Sequence, residues 1–66
     1  MTDLVLVAKA LDAEYKRRID FAHRAGMAEQ FQRLNKESTV AEALFVVRDC
    51  IVAGMDEEER KRWASR

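Results

Sequence analysis

Proline is absent from this chain, and glycine occurs only twice, at Gly26 and Gly54. Without proline, no helix is forced to stop by a missing backbone N–H. The two glycines are then the natural places for the backbone to change direction. One cysteine, Cys50, cannot form an internal disulfide. The single histidine, His23, has no cysteine or carboxylate at ligand spacing, so no metal site is expected. A Gly-rich phosphate loop, a nucleophile elbow and a paired-carboxylate constellation are all missing. No enzymatic activity and no cofactor is therefore expected.

Charge of one sign is missing too. Twelve basic and twelve acidic side chains give a net charge of zero, which argues against a strong nucleic-acid binder. No apolar run approaches the roughly 20 residues that span a bilayer. Leu4 to Ala8 is apolar but short, lacks a basic leader and runs into Lys9 and Asp12, so neither a signal peptide nor a membrane role is expected. A lone thiol suits a reducing compartment, and the expected location is the cytoplasm.

What is present is a 66-residue chain, 48% apolar and 36% charged. That composition belongs to one small folded domain, residues 1–66, rather than a disordered segment. A chain this short buries a modest core, and with no staple in the sequence, association is the expected source of further stability.

Apolar or long side chains recur at Leu4, Ala8, Leu11, Tyr15, Arg18, Ala22 and Ala25, alternating spacings of four and three. This is the seam of a heptad helix, and Asp3 is placed to cap it. A second series runs Phe31, Leu34, Ser38, Ala41, Phe45, Arg48, Val52 and Met55 in the same rhythm. Between the two series lies His23-Arg24-Ala25-Gly26-Met27. Its positive residues suit a helix C-terminus, and Gly26 suits the left-handed position beyond one.

The pattern predicts an all-α fold: an antiparallel two-helix, coiled-coil-like hairpin with a short C-terminal helical tail. Helix one covers about 3–25, the corner 26–28, helix two about 28–53 and the charged tail 55–66. The alternative is one long helix that tolerates Gly26. Asn35 to Thr39 resembles a loop and Thr39-Val40-Ala41-Glu42 matches a capping box, so a break near residue 37 competes with a continuous second helix. The unbroken heptad favours continuity.

Folding the chain at Gly26-Met27 pairs Ala25 with Phe31, Ala22 with Leu34, Tyr15 with Ala41 and Leu11 with Phe45. Large side chains then meet small ones. Arg18 and Arg48 are expected to reach outward past Ser38 and Ala8.

Helix two carries a further apolar stripe, Val40, Ala43, Val47, Cys50 and Gly54, with Val46 and Ile51 beside it. One antiparallel neighbour cannot cover both stripes, and a large uncovered apolar patch marks an interaction site. The expected protein-binding residues are Val40, Ala43, Val46, Val47, Cys50 and Ile51, with Leu6 and Ala10 from helix one. A homodimer or higher oligomer of the chain alone is one occupant of that face. Lys16, Arg17 and Arg24 open a second reading, a Rop-like homodimeric four-helix bundle that binds RNA; a protein inhibitor is a further alternative. After Gly54, the acids Asp56 to Glu59 precede the bases Arg60 to Arg62, which suits the dipole of a third helix. Trp63 in that tail is expected either to pack back on the hairpin or to anchor a partner.

At the corner, Gly26-Met27-Ala28-Glu29-Gln30-Phe31-Gln32, followed by Leu34, Glu37 and Ser38, resembles the YscE/PscE family of type III secretion proteins. In that family a first helix ends near a glycine and the second opens with a glutamine-aromatic-glutamine triplet. Chain length and the apolar segment Val40 to Val52 are also similar. The helix before Gly26 is shorter than the family's N-terminal part, and the tail with Trp63 extends past its usual end. The resemblance implies a cytoplasmic co-chaperone of bacterial virulence systems. Its partners would be a helical-repeat (TPR-like) chaperone and a needle subunit held unpolymerised before export. Among the corner residues, Gly26, Gln30, Phe31 and Gln32 carry the likeness.

Overall fold

The computed structural model describes residues 2–65. Three helices follow in order: α1 (Leu4–Met27), α2 (Phe31–Ala53) and α3 (Glu57–Ala64). The chain is all-helical, and α1 and α2 lie antiparallel as the two arms of a hairpin 44 Å in its longest dimension.

The starts of α1 and α3 are set by side-chain caps, whereas α2 begins after Gln30 without one. The Asp3 carboxylate accepts from the N–H groups of Val5 (3.0 Å) and Leu6 (3.4 Å), a cap worth about 1 kcal/mol. Asp56 and Glu59 form a reciprocal capping box at the start of α3 (2.8 and 3.0 Å), with Glu57 and Glu58 beside it in the first turn. The α2 helix runs without a break through Asn35–Thr39. There the Thr39 hydroxyl donates back to the Asn35 carbonyl at 2.8 Å, so it stays inside the helix instead of capping a new one.

The corner differs from its expected place. α1 continues through Gly26, and the turn occupies 28–30 rather than 26–28. The left-handed residue is Glu29 (φ 59°), not Gly26. The Glu29 N–H donates to the Gly26 carbonyl (3.1 Å) and the Gln30 N–H to the Ala25 carbonyl (2.8 Å). These two bonds are a Schellman closure, which satisfies the last carbonyls of α1 around a left-handed residue. A glutamate in that conformation costs about 1–2 kcal/mol relative to the right-handed region.

Moving the corner slides the seam. Tyr15 meets Phe45, one turn beyond its expected partner Ala41, with ring centroids 5.5 Å apart. Asp12, not Ala8, pairs with Arg48, and Leu34 approaches Gly26, one turn beyond Ala22. Each shift is about one helical turn. Phe31, expected in the seam against Ala25, is 62% exposed. In the observed register its opposite number falls in the turn, where no helix stands to cover it.

The core is uneven along the hairpin. At the open end Val5, Ala8 and Met55 are buried, with Leu4, Ile51, Val52 and Trp63 packed around them. Trp63 of α3 thus folds back on the hairpin, and Arg62 reaches Asp3 at 2.8 Å. Nearer the corner the buried residues are Ala22, Ala25, Ala41 and, unusually, Glu37.

Candidate protein-binding surface

The outer face of α2 follows from the same heptad that builds the seam. Ala41, Leu44, Arg48, Val52 and Met55 turn towards α1, so residues about half a turn away must face outward. Ala43, Val46, Val47 and Cys50 are exposed there, Val46 by 53% and Val47 by 48%. Val40 is half-buried at the edge of this face. The thiol of Cys50 is free and exposed rather than buried in a core.

The expected site residues do not all meet. Ile51 belongs to the open-end core, packed against Val5, Ala8 and Met55, and is removed from the binding face. Its position one turn from Val47 on the α1 side accounts for that. Leu6 and Ala10 are exposed, but on α1, where the neighbouring Val5 and Ala8 point into the core. They stand on the side of the hairpin away from α2 and do not extend the valine patch. At the corner Gln30, Phe31 and Gln32 are exposed, while Gly26 is half-buried.

A second apolar feature went unread in the sequence. Tyr15, Ile19, Ala41 and Phe45, with Ser38 and Glu42 at the edge, line an open groove of about 280 Å³ between the arms. Ile19 is 44% exposed. It follows Tyr15 by four residues, which is the spacing that marks a flank of the seam.

The polar contacts hold the arms together. The Arg48 guanidinium, expected to reach outward, instead lies 4.5 Å from the Phe45 ring centroid and 5.4 Å from that of Tyr15. It donates to Asp12 and Asp49, while its Nε is buried without a partner. Burial opposes its charge, but the hydrogen bonds to Asp12 and Asp49 outweigh that and raise its pKa. Arg18 likewise turns inward, bonding buried Glu37 at 3.0 Å and Glu14 at 3.1 Å. Glu37 is the main reason its pKa rises. The Asp12 carboxyl is held below its usual range by hydrogen bonds from Lys16 and then Arg48, against the opposing effect of burial. The Asp3 carboxyl is lowered mainly by Arg62.

The bases of α1 that suggested an RNA surface are each paired on their own helix: Lys16 with Asp12 (2.9 Å), Arg17 with Glu14 (2.7 Å) and Arg24 with Asp20 (3.1 Å). Among the described residues no three His, Cys, Asp or Glu side chains are grouped to hold a metal ion. No helix among the described residues is long and apolar enough to cross a membrane. No family model, curated protein or solved structure matches the chain.

Proposed function

We propose that this chain is a non-catalytic protein-binding module whose outer α2 face covers apolar helical surface on another protein. One observation carries the reading: Val46 and Val47 are half-exposed beside Ala43 and Cys50 on a helix whose other side already fills the hairpin seam. Masking such a face with a partner helix removes apolar area from water without any chemistry at the site. The corner residues Gly26, Gln30, Phe31 and Gln32 add the partner class. In this proposal the chain acts in the cytoplasm beside a TPR-like chaperone, and together they hold a type III needle subunit unpolymerised.

The test is co-expression with a helical-repeat chaperone and needle subunit of the type III class, followed by purification of the complex. Val47→Asp is expected to weaken that complex by about thirtyfold or more, because a charge is placed in the desolvated centre of the contact. Its circular dichroism should remain that of a helical chain. Leu11→Asp, in the seam, should instead lose helicity. Absence of any complex with that partner class removes the co-chaperone role. Equal loss of helix in both variants removes the division between seam and binding face.

A further inference from the structure

We infer that a cleft at the corner end of the hairpin, between Phe21 and Arg33, takes carboxylate side chains from an apolar helical segment of the partner protein. This rests on the reading of the outer α2 face as an interface and gives the chemistry that the partner must carry at one end of it.

The cleft measures about 290 Å³. Phe21, Ala25 and Ala28 give it apolar walls, and Arg24, Gln30 and Arg33 give it polar ones. Ala25 is buried and Phe21 half-buried, whereas Arg24 and Arg33 are exposed. Helical geometry explains why Arg33 is there. Arg33, Val40 and Val47 follow one another by sevens along α2. A straight helix turns such a row by about 20° per heptad, here towards α1 as the row nears the corner. The row that carries the two valines therefore ends against α1, at Arg33. A segment lying along the valines reaches the cleft without changing direction.

Charge selects the occupant. Arg33, and exposed Lys36 three residues on, have no carboxylate within ion-pair distance among the described residues. Glu37, the next acid on α2, is taken by Arg18 at 3.0 Å. Arg24 holds Asp20 through Nη2 at 3.1 Å, one nitrogen of a group with five N–H donors. A carboxylate can accept two parallel bonds from one guanidinium, while Phe21, Ala25 and Ala28 cover the apolar body that carries it. A phosphate would meet the guanidiniums as well but would leave those three residues bare. The chain as a whole carries no net charge, so it offers a nucleic acid no long-range attraction. Guanidiniums above apolar walls, at the end of an apolar row, fit an acidic protein helix.

Two synthetic helical peptides with a leucine stripe test this, one ending in two glutamates and the other in two glutamines. Each is titrated into the full chain and followed by the amide signals in NMR. The glutamate peptide should bind about fivefold more tightly at low salt and lose that advantage at about 1 M salt. It should move the signals of Phe21, Ala28 and Arg33 as well as those of Val40 and Val47. Arg33→Glu with Lys36→Glu should remove the preference and turn it towards a peptide ending in two lysines. Both positions are exposed, so the circular dichroism of that variant should match the native chain.

Equal affinity for the two native-chain peptides overturns the carboxylate site. If Val47→Asp then weakens both alike, the valine face stands without it. Binding of neither peptide at about 1 mM overturns it too, as does a single-stranded RNA that moves the same signals at lower concentration than the glutamate peptide. If the charge swap reverses the preference while Val47→Asp changes nothing, the carboxylate site stands and the valine face falls.

Discussion

The two ends of the hairpin are built on different principles. At the open end, three segments converge. Val5, Ala8 and Met55 are buried under Trp63, and Arg62 ties α3 to the Asp3 cap of α1. At the corner end nothing covers the outside: Met27 is 77% exposed and Phe31 62%. What holds that end is the backbone closure around Glu29 and the ion pair between Arg18 and buried Glu37. A two-helix hairpin frays where its chain ends are free, and this molecule spends its third helix there. The corner is already tied by covalent continuity, so it tolerates large exposed side chains and a core of alanines.

The largest expected effect breaks that comparison at the open end. Trp63→Ala removes the side chain that covers Val5 and Ala8, at a loss of about 2 kcal/mol for a half-buried aromatic. Thermal denaturation should shift down, and hydrogen exchange should quicken at the start of α1 before it does around Ala22 and Ala25. Exchange that quickens equally at both ends would show that α3 does not stabilise one end selectively.

A smaller effect comes from acid. The Asp3 and Asp12 carboxyls are both lowered from 3.8 in the folded chain. Their stabilisation is fully present above the unfolded carboxylate range and is lost as pH falls through the folded values below 3.8. Both groups brace the half of the hairpin away from the corner, through Arg62 and through Lys16 with Arg48. Between pH 4 and pH 2, Trp63 fluorescence should therefore report loosening before the far-ultraviolet helix signal falls. Simultaneous loss of both signals would contradict this.

The smallest effect sharpens the comparison from the other side. Glu29→Gly relieves the left-handed strain at the corner and should stabilise the chain by about 0.5–1 kcal/mol in chemical denaturation. Gly26→Ala should be close to neutral, because a Cβ there would meet only Leu34 methyls at an ordinary 3.8 Å and would suit a helix better. A destabilising Glu29→Gly would mean that the corner is held by its side chain rather than by its backbone.

The elements were legible because periodicity and capping are local. The seam stripes, the continuity of α2 through Thr39 and the acid-led start of α3 all follow from spacings within a few residues; for Trp63 the sequence leaves packing on the hairpin and anchoring a partner both open. The register was not legible, for a physical reason. A three-four stripe looks almost the same after a slide of one turn, so Tyr15 fits Ala41 or Phe45 on pattern alone. The choice is made by Arg48 with Asp12, a pair far apart in sequence that no local signal joins. Gly26 misled for a related reason. Glycine permits a left-handed turn but does not compel one, and Glu29 takes it where the two closing hydrogen bonds can form.

For the surface, the stripe of small and branched residues on α2 identified Val46, Val47, Ala43 and Cys50. Ile51 was misplaced because it lies one turn from Val47 on the α1 side, where it packs on Val5, Ala8 and Met55.

The inward Arg48 also governs which misfolded neighbours this hairpin has. Apolar contacts are nearly degenerate when one arm slips along the other by a turn. Ionic contacts are not. In a hairpin slipped by that turn Arg48 would stand against Ala8, its guanidinium stripped of the cross-arm carboxylate of Asp12. The penalty for leaving such groups unpaired exceeds what a well-made pair contributes. Arg48 thus widens the energy gap below the native register more than it deepens the native state itself, and a chain with two nearly equivalent ways to fold settles on one.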